Sequence, residues 1–205
     1  MQKSINVAQA FGIPGAIFDL TPRRVDAVEL AYTANIGDLA GRSSAGAVGP
    51  LNSTYSTFAG VFVRPHEAVN YGTSDGALKA SLAQPAGATV QVCSMGRVIV
   101  ELEMSATQTT ATASVETEAA EQAKALTALK ALDAVANGAT AYYGNSSYKL
   151  TASSSSATAC GKFLIGCNAS DAIAKGATVT YSSTTVSTNT LTTATVKCLV
   201  VLQLD

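Results

Sequence analysis

Helix breakers cut the first half of this chain into short pieces, and that punctuation limits what it can build. Gly12, Pro14, Gly15 and Pro22 fall within residues 1–24, a density that no stable helix tolerates. This stretch reads as an extended arm, with Phe11, Ile13, Ile17 and Phe18 as apolar anchors. Gly37, Gly41, Gly46 and Gly49 then break residues 35–50 into turns around at most a short strand. Between the breakers lie short runs of β-formers. Arg24 to Tyr32 alternates weakly, and Phe58-Ala-Gly-Val-Phe-Val-Arg ends at Pro65. Residues 71–76 read as a loop. Around Ser94-Met95-Gly96 two β-rich runs face each other, which predicts a hairpin over residues 84–103 with Gly96 in the turn. Thr195 to Leu204 predicts a C-terminal strand.

The opening Gly-Ala-Thr occurs at residues 87, 138 and 176. It is either a repeated turn feeding a strand or a coincidence in an Ala/Thr-rich chain. The alternating apolar residues that follow each copy favour the first. After the second copy, Gly144-Asn-Ser-Ser147 reads as a turn. Only residues 115–136 break the β character. They hold no Gly or Pro and are rich in Ala, Leu, Glu and Lys, which predicts a helix. Ser114 is its expected N-cap, Glu116, Glu118 and Glu121 fill the early turns, and Asn137-Gly138 is the expected C-cap. Leu126, Leu129 and Leu132 are the expected buried side, against the chain's own sheet or against another subunit. The Ser/Thr/Ala tracts at 105–114 and 152–158 read as linkers, loops or edge strands.

Composition excludes several functions. Charged residues are 13% of the chain, about half the usual ~25%, and the mean hydropathy is +0.24. Disordered chains show the opposite balance. Thirteen Lys and Arg against 14 Asp and Glu give a net charge of −1, so no basic stripe exists for nucleic acid. No apolar stretch approaches the ~18 residues of a membrane span. No long apolar core follows Lys3, so the N-terminus does not read as a signal peptide. An unprocessed chain made in the cytoplasm is expected, its arm held by a neighbouring subunit.

The chemical inventory is nearly empty. Cys93, Cys160, Cys167 and Cys198 form no C-x-x-C pair and have no nearby His, so no metal site and no cofactor is expected. Reduced thiols are expected, although spacing alone leaves pairing open. The single histidine, His66, has no nucleophile motif around it. Glu101 and Glu103 would share a strand face, an arrangement that glycoside hydrolysis uses but that a solvated face explains better. Asn168-Ala-Ser170 fits a glycosylation sequon, which has no meaning without secretion. No catalytic residue is assigned.

Several segments together resemble one family. They are Phe11-Gly-Ile-Pro-Gly-Ala, Pro22-Arg-Arg-Val, Ile36-Gly-Asp-Leu-Ala and the Phe58 strand ending in Pro65. Leu82-Ala-Gln-Pro-Ala-Gly-Ala-Thr-Val-Gln-Val, Gly96-Arg-Val-Ile-Val-Glu-Leu and Gly161-Lys-Phe-Leu-Ile-Gly continue the pattern, and the terminal Val-Val-Leu-Gln-Leu strand closes it. In these the chain is similar to the structural cement, or head decoration, proteins of tailed bacteriophages. The likeness covers about residues 5–103, 138–145 and 160–205; residues 115–136 and 181–195 look like insertions. It implies a β-rich protein on the outer surface of an icosahedral capsid, bridging neighbouring major capsid proteins, with no catalytic residues.

The resulting expectation is a mainly β chain. Residues 1–24 form an extended arm, and residues 25–205 form a sandwich or barrel of short antiparallel strands with one embedded helix at about 115–136. The expected partners are the major capsid protein and further copies of the chain, as dimer or trimer, with no nucleic acid and no membrane. The expected interface is Phe11, Ile13, Pro14, Ile17 and Phe18. The alternative is another self-assembling subunit of a tail tube, a pilus-like fibre or a surface layer.

Overall fold

The computed structural model describes residues 14–19, 22–64, 83–108, 112–113, 118–132, 135–186 and 189–205. The chain is mainly β, as expected. In order it runs β1 (Arg24–Glu29), β2 (Ala34–Asn35), β3 (Leu39–Arg42), β4 (Val48–Pro50), β5 (Thr57–Val63), β6 (Ala83–Gln84), β7 (Thr89–Thr107) and β8 (Thr112–Ala113). Then follow α1 (Glu118–Lys130), β9 (Thr140–Gly144), β10 (Leu150–Thr151), β11 (Ala157–Ile165), α2 (Ala169–Ala174), β12 (Val179–Val186) and β13 (Asn189–Leu204).

One large antiparallel sheet carries the order β10-β9-β11-β13-β7-β5-β3-β4, with β1 on β7 and β8 and β12 on β13. Its spine is the pair β7–β13, in unbroken register from Thr107↔Thr193 to Gly96↔Leu204. The sheet does not close into a barrel, but its two halves curl over one core. Phe58 of β5 stacks on Tyr143 of β9 at 5.7 Å between centroids. The main core collects Val61, Val63 and Cys93 from one half with Val100, Leu102, Phe163, Val196 and Leu202 from the other. A smaller cluster lies on the opposite face of β1, β3, β5 and the start of β7, where Leu30, Ile36, Phe62, Val90 and Val92 pack together.

The hairpin expected at residues 84–103 is not there. Residues 89–107 form one continuous strand, and Gly96 marks the place where it changes partners. Up to Met95 it pairs with β1 and β5; from Gly96 onward it pairs with β13. Gly96 has φ +127°, and the β1 register shifts beside it, between Arg24 and Val25. An interior glycine between two β runs marks a bend as readily as a turn. The partners that decide the matter lie on β13, about a hundred residues away in sequence and invisible to local pattern.

The Ser/Thr tract at 181–195 lies in a strand pair, β12 with β13. Threonine is β-branched and suits a pleated surface. Hydroxyls pair across the strands: Ser183 with Thr192 at 3.0 Å, Thr107 with Thr193 at 2.8 Å, and Ser105 with Thr195 at 2.9 Å. All three Gly-Ala-Thr copies open strands (β7, β9 and β12), each with its glycine at positive φ.

The described helix, Glu118–Lys130, ends earlier than expected and lies on its own sheet, against β7 and β13. Its buried stripe is Glu121, Ala125 and Leu129; Leu126 is half-buried and Leu132 is exposed. The stripe follows an i, i+4 row, and the small Ala125 permits close approach to the sheet. Thr192 donates to the buried Glu121 carboxylate at 3.3 Å. The expected cap Ser114 and Glu116 lie outside the described residues. Asn137 does not cap this helix; its side-chain oxygen accepts from the Gly166 N–H at 2.8 Å. The sequon residue Asn168 has a structural task, since its Oδ1 caps α2 by accepting from the Ser170 N–H at 2.8 Å.

Two cysteines depart from the expectation of reduced thiols. Cys167, just before α2, is disulfide-bonded to Cys198 on β13, with Cα atoms 6.7 Å apart. Cys93 and Cys160 are free and buried, and burial pushes the Cys160 thiol up to about 12. Thiol titration at about pH 8 should therefore find almost nothing in the folded protein. It should find two thiols per chain after unfolding and four after reduction. Four without reduction would break the assigned pair.

Candidate interface surfaces

Three surfaces carry what this chain offers a partner. The first is the N-terminal segment. Phe11 and Ile13 lie outside the described residues, whereas Pro14, Ile17 and Phe18 are half-buried in their own chain. Gly15 N–H donates to Ile99 at 2.8 Å, Ile99 N–H to Ala16 at 2.9 Å, and Phe18 N–H to Arg97 at 2.8 Å. Arg64 N–H donates to Gly15 at 2.9 Å on the other side. Residues 15–18 thus form a strip between the end of β5 and the centre of β7. Ile17 packs on the main core, and Arg97 pairs with Asp19 at 2.6 Å. The described part of the arm is therefore part of the sheet. Pro14 sits against Gly37, so any upstream contact begins there.

Gly37 also lines the second surface, a groove of about 260 Å³ along the unclosed seam of the sheet. Leu39, Pro50 and Leu51 come from one end of the sheet, Tyr148 and Leu150 from the other, and Glu101 and Glu103 from β7. The two glutamates do share a strand face. Each is neutralised by a lysine: Lys197–Glu101 at 2.7 Å and Lys149–Glu103 at 2.6 Å. The Glu101 hydrogen bond holds the Lys197 ammonium above its usual range. Burial raises the Asp38 carboxyl, partly offset by hydrogen bonds from the Asn35 side chain and N–H. These pairs stitch strands together across an exposed seam, where such bridges contribute ~0–1 kcal/mol each.

The third surface is the outer side of β1, β3, β5 and the start of β7, beside the smaller core. A groove of about 140 Å³ has Val28, Val48, Ala59 and Val92 on its floor and Arg24, Asp26 and Arg42 on its rim. Arg24 pairs with Asp26 at 3.2 Å while 71% of its side chain stays exposed. Arg42 is exposed, with no ion pair among the described residues.

A family model described as "Structural cement protein (E217 gp24/Pam3 gp6)" matches residues 1–202. The chain belongs to the phage structural cement protein family. Comparison with curated proteins gives no match.

Membership makes this a structural protein of the phage capsid and gives the sparse chemistry a setting. The matched range, residues 1–202, includes both α1 and the β12–β13 ribbon. Among the described residues no group of three or more His, Cys, Asp or Glu is placed to hold a metal. His66 falls outside them. No described helix is long and apolar enough to cross a membrane. Two features of this cement protein differ in how far the sequence shows them. The Cys167–Cys198 pair has no local signal, because 31 residues of unremarkable spacing separate its members. The arginine rim does have one: all five arginines precede residue 98, which is plain in the sequence once looked for.

Proposed function

We propose that the protein binds the outside of an icosahedral phage capsid and stabilises it by bridging neighbouring major capsid proteins, itself acting as a dimer or trimer. The family match over residues 1–202 carries this reading. The architecture supports it: one rigid sheet stapled by a disulfide and offering broad shallow surfaces. On this reading the mechanism is area and multivalency. Many copies each bury a modest patch on two neighbours, and binding the assembled shell but not loose capsomers favours assembly by mass action.

The bridging claim is tested on shells prepared without the protein. Added protein should saturate fixed sites and raise the shell's disruption temperature, and one cement chain should cross-link to two capsid subunits. Cross-links to a single subunit only would refute bridging.

The arm belongs to the same reading, with Phe11 and Ile13 as its inter-subunit anchors. Because residues 15–18 are hydrogen-bonded into the sheet, the clean cut removes residues 1–13. That truncation should leave the melting temperature nearly unchanged and abolish shell occupancy. Normal occupancy would remove the arm from the interface.

A further inference from the structure

Among the described residues the cations divide by type. Arg23, Arg24, Arg42 and Arg64 sit in or beside β1, β3 and β5, and Arg97, paired with Asp19, lies just past Gly96 where β7 passes to β13. Every described lysine lies in the other half, on α1, after α2, on β11 and β13 or in the β9–β10 turn. Arginine is enriched and lysine depleted at protein interfaces, because the planar guanidinium is weakly hydrated and grips a carboxylate with two parallel N–H bonds.

On the β1–β7–β5–β3 face two of these guanidiniums, Arg24 and Arg42, meet the other requirement of an interface, an apolar floor inside a polar rim. Ala59 and Val92 floor the groove, and Arg24 and Arg42 edge it. Arg42 has no ion pair among the described residues, and Arg24 has only the exposed pair with Asp26. By contrast, Lys149 and Lys197 are already engaged with Glu103 and Glu101.

We infer that this face is the docking face, and that Arg24 and Arg42 grip carboxylates on the partner's surface; resting on the cement reading, the partner is an acidic patch on the outside of the capsid lattice. The rim's two arginines and one aspartate, Asp26, leave a single net positive charge, enough for a carboxylate surface and too little for a polyphosphate. The lysine-bearing half, with both helices, then faces away from the shell.

The test measures binding of the full chain to shells prepared without it. Arg24→Ala with Arg42→Ala should weaken binding about a hundredfold, at roughly tenfold for each charge-assisted arginine–carboxylate pair removed. Arg24→Lys with Arg42→Lys keeps the charge but gives up the fork, and should fall in between. Lys130→Ala with Lys162→Ala and Lys175→Ala should bind like the wild type. All these side chains are exposed, so melting temperatures should stay within a few degrees. A lysine-half variant that fails to bind while the arginine variant still binds overturns the assignment. So does an arginine variant that keeps shell binding but no longer binds a duplex DNA fragment. If the wild type itself ignores the shells, the cement reading fails and this inference falls with it.

Discussion

Gly60→Ala is expected to lower the melting temperature by about 10 °C. Two costs add at this position. Gly60 has φ +136°, a conformation that an L side chain rarely adopts, which costs on the order of 1–3 kcal/mol. A Cβ there would also overlap the carbonyl oxygen of Cys93 on the adjacent strand. Relieving that overlap means moving β5 away from β7 at Val61↔Cys93, in the middle of the main core, for roughly another 1–3 kcal/mol. For a chain of this size each kcal/mol shifts the midpoint by about 2–4 °C. Thermal melting checks it, and a midpoint within 2 °C of the wild type would mean that β5 does not approach β7 as described.

The second large effect separates the two faces of α1. Leu129→Ala should cost about 2–5 kcal/mol, because Leu129 is fully buried and the helix lies on a packed sheet that collapses poorly around a void. Leu132→Ala should stay within ~0.5 kcal/mol, because Leu132 is 36% exposed. Chemical denaturation of the isolated protein measures both. Equal effects would show that the buried stripe is Leu126, Leu129 and Leu132 after all. A negligible effect at Leu129 would mean that the helix is held by another subunit rather than by its own sheet.

These cases show where the sequence is readable. Short runs such as Phe58–Val63 and the C-terminal strand announce themselves, because apolar content, β-branching and a bounding breaker all agree. The helix announces itself by propensity, but its buried stripe does not. Rows through Leu126 and through Leu129 are both compatible with the pattern, and the choice falls to Ala125, whose value lies in being small where the sheet is close. Gly96 is the clearest failure. Its local signal is the same for a turn and for a bend, and the deciding contacts come from a distant strand. The Ser/Thr ribbon is easily misread because low complexity hides a β-branched alternation that only cross-strand hydroxyl pairs make visible. On the candidate surfaces, Pro14, Ile17 and Phe18 have the apolar character an anchor needs, and local pattern does not show that all three are half-buried in their own chain or that Ile17 packs on the main core.

The β7–β13 spine has a mechanical consequence. Both strands are continuous, and twelve residue pairs join them from Gly96↔Leu204 to Thr107↔Thr193. A pull along the strand axis loads those hydrogen bonds in shear, all together, rather than peeling them open one after another. The bent β7 also carries tension through Gly96 by covalent backbone from the arginine-bearing half into the helix-bearing half. A load applied at the two ends of this spine would therefore meet a stiff tie, which resists until its paired strands slip together rather than one by one.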